Sequence, residues 1–198
     1  MPSIKTPWLI IAVALLLGGC GTLSQKSSQT AAANVDKTID ADAQKAYADA
    51  VESLRRGETA QAKQQFEKLA SQYPNLAGPY TNLGIIQLKA NDPAAAEQFF
   101  RQSLERNPKS AQAHNQLGVS LRMQGRFQDA EQAYLSALKL EPVYLAAHRN
   151  LGILYDLYLA KPAEALEQYK LCQKLADAPN QEIEGWIADL ELRLKRAK

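Results

Sequence analysis

The chain has 198 residues, of which 46% are hydrophobic and 22% are charged, so it is long and apolar enough to bury the core of one compact domain. Its 23 basic and 21 acidic side chains leave a net charge of +2. This balance gives no reason to expect nucleic acid as a partner.

The N-terminal segment is organised like a secretory signal peptide. One cation, Lys5, precedes an apolar run over 8–17 that is too short to span a bilayer as a helix, which needs about 20 residues. Residues 17–20, Leu-Gly-Gly-Cys, then resemble the lipobox of bacterial lipoproteins. This resemblance implies cleavage before Cys20 and acylation of its thiol and of the new N-terminus. The alternative is an ordinary signal peptide with an incidental cysteine.

We therefore expect a signal peptide over 1–19 and a lipidated N-terminus with a flexible tether over 20–40, a segment rich in Ser, Thr, Gln and Ala. Several acyl chains such as palmitate would hold Cys20 in a lipid bilayer, since each buried methylene contributes about 0.8 kcal/mol. Gly21 follows the cysteine, whereas the lipoprotein rule for inner-membrane retention in Gram-negative bacteria requires Asp. The expected location is the outer membrane, facing the periplasm; in a Gram-positive host it would be the outer face of the cell membrane.

A 34-residue pattern then repeats along the chain. Its Leu-Gly pair occurs at 83–84, 117–118 and 151–152, and an alanine, an aromatic residue and a proline follow at fixed offsets. In the third unit, apolar residues at the spacing i, i+3, i+4, i+7 predict a helix between Gly125 and Pro142. A first apolar segment precedes that glycine, so each unit is predicted to be a hairpin of two helices.

Four such units are predicted, over 43–76, 77–110, 111–144 and 145–178. Asp49 replaces the leucine of the pattern in the first unit, as expected of an end repeat whose outer side faces water. The fourth unit gains one residue before Ala165, which lengthens a turn. Residues 181–198 carry apolar side chains on one helical face and are predicted to cap the stack.

This 34-residue pattern resembles the tetratricopeptide repeat, or TPR. The resemblance implies an all-α fold, with a right-handed superhelical solenoid of about four helical hairpins over 41–180 and a C-terminal capping helix over 181–198. It also implies a concave groove, lined by the first helices of the hairpins, that holds an extended or helical segment of a protein partner.

The same resemblance assigns groove residues by their repeat positions. The predicted partner-binding set is Tyr47, Val51, Asn82, Ile85, Lys89, Asn115, Gln116, Val119, Arg122, Arg149, Asn150 and Ile153, with Arg55, Met123 and Asp156 toward the rim. Its amide side chains can donate to and accept from a peptide backbone. The alternative is that they only help to stack the helices. Basic residues outnumber acidic ones in the set, so the expected partner segment is apolar with acidic residues.

No motif for catalysis or for a cofactor occurs in the sequence: it has no glycine-rich phosphate loop, metal-ligand cluster or nucleophile elbow. His114 and His148 lie one repeat apart, at positions where the family has a large packing side chain. With Cys20 acylated, Cys172 has no partner for an intramolecular disulfide, and it is expected to be a small buried side chain.

These observations predict a non-enzymatic scaffold or assembly adaptor in envelope biogenesis. It would be anchored to the bilayer through Cys20, without a cofactor or metal, and would bind another envelope protein or peptide segment in the groove. Two narrower alternatives stay open: a pilotin-like assembly factor for a pilus or secretion-system secretin, and an accessory scaffold of cell-wall or polysaccharide synthesis enzymes.

Overall fold

A computed structural model describes residues 41–197. The predicted signal peptide, Cys20 and the tether up to residue 40 lie outside the described residues. Within 41–197 there are nine helices and no strand, and none of these helices is long and apolar enough to cross a membrane. The helices are α1 (41–55), α2 (Thr59–Gln72), α3 (Ala77–Lys89), α4 (Pro93–Arg106), α5 (Ala111–Met123), α6 (Phe127–Leu140), α7 (Leu145–Leu157), α8 (Pro162–Leu175) and α9 (Gln181–Arg196).

Helix starts and turns follow from local sequence signals. Asp92 caps α4 by accepting a hydrogen bond from the Ala95 backbone N–H at 2.9 Å, and a proline occupies the first position of that helix. The turn inside each hairpin contains one residue with positive φ. These residues are Gly57, Asn91, Gly125 and Ala160. They recur every 34 residues until the last, which comes one residue late, so the fourth unit's extra residue lies in its turn.

The hairpins pack through an aromatic ring laid on a glycine. Phe100 lies on Gly84 within the second hairpin, and Tyr134 lies on Gly118 within the third. A Cβ added to either glycine would stand only 2.5 Å from the ring, so no side chain fits between the two helices there. Tyr169 and Gly152 repeat this contact in the fourth hairpin.

Helices contact in chain order, so the hairpins form a linear stack. In the second, third and fourth hairpins the first helix packs against the second, and the second helix of each of the first three hairpins packs against the first helix of the next. Helix α9 comes next in this order and packs on α8. Its Ile183, Ile187 and Leu190 are buried in the main core, and its Trp186 ring lies 5.0 Å from the Tyr169 ring. The predicted all-α solenoid with a C-terminal capping helix is confirmed.

A carboxylate on α4 links the second and third hairpins. Glu97 accepts hydrogen bonds from Arg101 at 2.7 Å, from Gln124 at 2.9 Å and from Arg126 at 2.9 Å. Burial acts to raise the pKa of Glu97, but these three hydrogen bonds together outweigh it and hold the pKa below its ordinary value. One repeat later, Glu131 pairs with Lys161 at 2.9 Å.

The low pKa of Glu97 predicts a loss of stability in acid. A group whose folded-state pKa is depressed contributes stability above its unfolded pKa, near 4.5, and loses that contribution as pH falls through the folded value. The free energy of unfolding should therefore fall below about pH 4.5, and Glu97→Gln should flatten that part of the profile. Denaturant titrations between pH 3 and 7 measure both curves. An identical slope in the two proteins would mean that Glu97 is not held ionised by its partners.

Candidate functional site

The first helices of the hairpins lie side by side and form one surface, which we call the groove. Helix α3 contacts α5, and α5 contacts α7. Side chains also join first helices of successive hairpins: Asn82 on α3 donates to the Tyr47 hydroxyl on α1 at 2.8 Å. The groove is therefore a surface built from four consecutive repeats.

The centre of the groove is an apolar row at 34-residue spacing, the ladder row, made of Val51, Ile85, Val119 and Ile153. All four side chains are half-buried and pack against the hydrophobic core with one flank. The other flank is available to a partner. The repeat period places these residues together as the sequence predicted, and because they are partly in the core, they also stabilise the stack.

The predicted polar residues are largely engaged within the protein. Both amide hydrogens of Asn82 are used, one on Tyr47 and one on the Gly78 carbonyl at 3.1 Å. The Tyr47 ring lies against Gly78 and 5.8 Å from the Phe66 ring, which places it in the contact between the first two hairpins. Only the side-chain oxygen of Asn82 remains as a hydrogen-bonding group for a partner.

Asn115 is a correction to the predicted set. It is only 2% exposed, and its side-chain oxygen accepts a hydrogen bond from Asn150 at 2.9 Å, so it joins α5 to α7 and offers no surface to a partner. Asn150 keeps one amide hydrogen and its oxygen. Gln116 is half-buried and makes no hydrogen bond within the described residues, so its whole side-chain amide can bond to a partner. The alternative assigned to these amides, helix stacking, therefore accounts for Asn82 and Asn115 and for part of Asn150.

Two of the predicted groove cations, Arg149 and Arg122, are engaged within the protein. Arg149 forms an ion pair with Glu182 of α9 at 2.8 Å and lies 5.5 Å from the centre of the Trp186 ring. Arg122 is half-buried, and its guanidinium lies 5.6 Å from the centre of the Tyr158 ring. Both arginines hold neighbouring side chains in place, so changing either to glutamate would disturb the fold as well as the groove.

A second row, the end row, runs along the last residues of the four first helices: Arg55, Lys89, Met123 and Leu157. Each lies four residues after a ladder-row residue and hence on the same helix face. Met123 is 42% exposed and Leu157 is 68% exposed. The sequence indicated Arg55, Lys89 and Met123 as groove or rim residues but not Leu157, although adding 34 to 123 identifies it.

Helix α7, which is the first helix of the fourth hairpin, and the capping helix α9 border a cleft of about 400 Å³ at the C-terminal end of the groove. Tyr169 and Trp186 supply its aromatic part, and Ile153 and Leu157 supply aliphatic walls. At its edge, Arg193 pairs with Asp189 at 2.9 Å and also with Asp156. The sequence placed Trp186 within the predicted capping segment, 181–198, and did not indicate that it also borders the groove.

A rival apolar surface lies where the third hairpin joins the fourth. Leu140, Val143 and Leu145 are exposed there, Val143 to 61%. One repeat earlier, the corresponding residues are Arg106, Lys109 and Ala111, which are polar or small. This edge is outside the groove, so experiments on the groove need a matched variant here.

Family models match most of the repeat region. Residues 39–76 match one model described as tetratricopeptide repeat, and residues 81–144 and 124–171 match another with the same description, so the two together match well over half of the chain. The chain belongs to the tetratricopeptide repeat family. No curated protein matches it.

Solved structures share this TPR fold. PilF of Pseudomonas aeruginosa superposes with a TM-score of 0.71 at 26% sequence identity, covering 79% of this chain and 71% of that one. MamA of Desulfovibrio magneticus gives a TM-score of 0.66 at 20% identity and covers 77% and 85% of the two chains. A thermophilic TPR protein of Thermus thermophilus gives 0.63 at 24% identity, over 78% and 84%.

The two histidines of this TPR chain act as packing residues. The Nε2 atoms of His114 and His148 lie 3.0 and 2.9 Å from the carbonyls of Pro108 and Pro142, each six residues earlier. A carbonyl only accepts, so Nε2 carries the proton in both rings. The Tyr80 hydroxyl makes the equivalent contact one repeat before. Among residues 41–197, no three or more His, Cys, Asp and Glu side chains group as metal ligands would.

Cys172 is a buried side chain on α8, as the sequence predicted. It is 2% exposed, and burial raises the pKa of its thiol to about 11. The thiolate is the reactive form, so the thiol is kept unreactive at neutral pH. Cys172 therefore belongs to the packing of the fourth hairpin.

Proposed function

We propose that this chain is a non-enzymatic scaffold of the cell envelope that binds a segment of another envelope protein in its groove. One observation carries the proposal: the ladder row and the end row form a continuous surface across four repeats, and Met123 and Leu157 are exposed on it. Large apolar residues in line on a protein surface are typical of protein-binding sites. Family membership supports the same conclusion, because the stacked hairpins of solenoids form extended binding surfaces.

The anchoring part of the proposal rests on residues 17–20, which resemble a lipobox. An acylated Cys20 would tether the TPR domain to a membrane, with the outer membrane and a periplasm-facing domain as the proposed location. In that position the scaffold would recruit its partner to the lipid surface during assembly of an envelope structure.

Capture of envelope proteins by the full-length protein tests the scaffold function. We expect Met123→Asp with Leu157→Asp to reduce capture at least tenfold, because two carboxylates would enter an apolar binding surface. The matched control is Leu135→Asp on α6, the second helix of the third hairpin. Leu135 is 40% exposed, close to the 42% of Met123, and lies outside the groove. Circular dichroism checks that both variants keep their helical content. Equal capture by the groove variant and the wild-type protein would contradict the proposal.

Membrane anchoring has its own test. We expect Cys20→Ser to block acylation and to move the folded protein from the membrane fraction to the soluble fraction, because no lipid remains to hold it. Fractionation with immunodetection measures the distribution, and mass spectrometry of the mature N-terminus identifies the acyl chains. An unmodified Cys20 in the wild-type protein would overturn the anchoring.

A further inference from the structure

The groove changes character from one end to the other. The end row begins with two cations, Arg55 and Lys89, and finishes with two apolar residues, Met123 and Leu157. The ladder row beside it is apolar throughout. A segment lying along the groove would therefore meet charge at the N-terminal repeats and apolar surface at the C-terminal repeats.

We propose that the partner segment lies in the groove in one orientation, with its apolar part at the C-terminal repeats and its acidic part at the N-terminal repeats. A large apolar side chain of the partner segment enters the cleft between α7 and α9, and acidic residues of the same segment lie over Lys89 and Arg55. This inference rests on the proposed function. It specifies the chemistry of the bound segment and the end of the groove at which each part of that segment lies.

The cleft fits an apolar anchor. Its aromatic part is held in place, because the Trp186 ring lies 5.0 Å from Tyr169 and the Arg149 guanidinium lies over Trp186. Leu157 at its mouth is the most exposed large hydrophobic residue in the described chain. An apolar side chain seated there would cover surface that water now contacts, the typical arrangement of an anchor residue in a pocket.

Charge at the two ends of the groove sets the direction. At the cleft, the carboxylates of Asp156 and Asp189 share one guanidinium, that of Arg193, so an acidic residue of the partner would meet an excess of negative charge. At the other end, Lys89 makes no ion pair with any residue in 41–197. Like-charge contacts penalise the reversed orientation, and opposite charges favour the proposed one.

Arg55 adds to the positive end. Its only ion pair within the described residues is with Glu52 at 3.9 Å, and the arginine side chain is 78% exposed. Exposed pairs of this kind contribute little, so the guanidinium can turn to a partner carboxylate. Attraction at this end is screened over about 8 Å at physiological ionic strength and should weaken with added salt.

The repeat geometry gives the distance between the positive end of the groove and the apolar cleft. Packed helices lie about 8 to 10 Å apart, and Lys89 and Leu157 are separated by two helix positions, so they lie roughly 18 Å from each other. An extended segment rises about 3.3 Å per residue and would place its acidic residues about six positions from the anchor. A helical segment rises about 1.5 Å per residue and would need about twelve.

Selection of random 16-residue peptides displayed on phage against the full-length protein tests the inference. We expect enriched peptides to carry an aromatic or large aliphatic residue with Asp or Glu about six or twelve positions away. Synthetic copies of these peptides should lose at least tenfold in affinity for Leu157→Asp. They should lose several-fold for Lys89→Glu, and that second loss should disappear at high salt. Replacing the acidic residues of a peptide with lysine should restore its binding to Lys89→Glu.

Two control variants, Leu135→Asp and Val143→Asp, separate this inference from the proposed function. Suppose the enriched peptides share no acidic residues, lose affinity for Leu157→Asp and bind Lys89→Glu as tightly as the wild type. That result would overturn the directional inference and leave groove binding intact. Peptides that lose affinity only with Val143→Asp would place the site on the edge between the third and fourth hairpins and overturn both. A selection that enriches no peptide would also overturn the directional inference.

Discussion

Replacing Phe100 with alanine is expected to lower the free energy of unfolding by about 3 to 5 kcal/mol. Phe100 is 0% exposed and lies in the main core. Its ring also covers the backbone of α3 at Gly84, where a Cβ would come within 2.5 Å of it. Alanine would therefore leave a cavity between two helices that the glycine cannot fill. Denaturant unfolding followed by circular dichroism measures the difference.

The matched control is Leu135→Ala, because this leucine is 40% exposed on α6, the second helix of the third hairpin. Its effect should be clearly smaller, about 1 kcal/mol, because part of the side chain is already in water. If Phe100→Ala changed stability as little as the control, the ring would not carry the contact between α3 and α4, and the assignment of packing positions by the 34-residue period would fail.

Deleting residues 181–198 is expected to unfold the fourth hairpin first. Helix α9 covers α8 with three buried side chains, Ile183, Ile187 and Leu190, and with the Trp186 ring on Tyr169. Without it, Tyr169 and its neighbours would face water. In a linear stack, a repeat that loses one neighbour loses that interface contribution to its stability. Hydrogen exchange should show the largest loss of protection over 166–175, and the truncated protein should aggregate more readily.

Point variants of α9 separate loss of the interface from loss of chain length. Ile187→Asp should reproduce the loss of protection in α8, because it places a carboxylate in the buried interface. Leu192→Asp should not, because Leu192 is exposed on the outer side of α9. Unchanged protection over 166–175 in both the deletion and Ile187→Asp would show that α8 does not need the capping helix.

The 34-residue period was sufficient to predict the fold because it fixes which residues occupy equivalent places. Helices α3, α5 and α7 begin at Ala77, Ala111 and Leu145, the first residues of the predicted units. Asp49 is exposed, whereas the leucines at its repeat positions are buried, as expected of an end repeat. Each of these features depends on the repeat alone and needs no knowledge of side-chain geometry.

The chemistry of the groove was less predictable, because it depends on helix phase and on α9. Asn115 and Gln116 are adjacent in sequence, yet a step of one residue turns the side chain by about 100° around a helix, so one is buried and the other half-exposed. Arg149 pairs with Glu182, which lies on the capping helix beyond the last repeat. The 34-residue period cannot place that helix, so the neutralisation of Arg149 could not be predicted from the repeat.

Partner binding in the groove is tested most directly by site-specific photo-crosslinking in cells that express the full-length protein. A photoreactive amino acid is placed at Met123 or Leu157 in the groove, at Leu135 on a second helix, or at Val143 on the edge between hairpins. We predict that one envelope protein crosslinks from both groove positions and from neither of the others, with the anchor region of that protein attached at position 157. Crosslinks that form only from Leu135 or Val143 would show that the partner binds elsewhere on the solenoid.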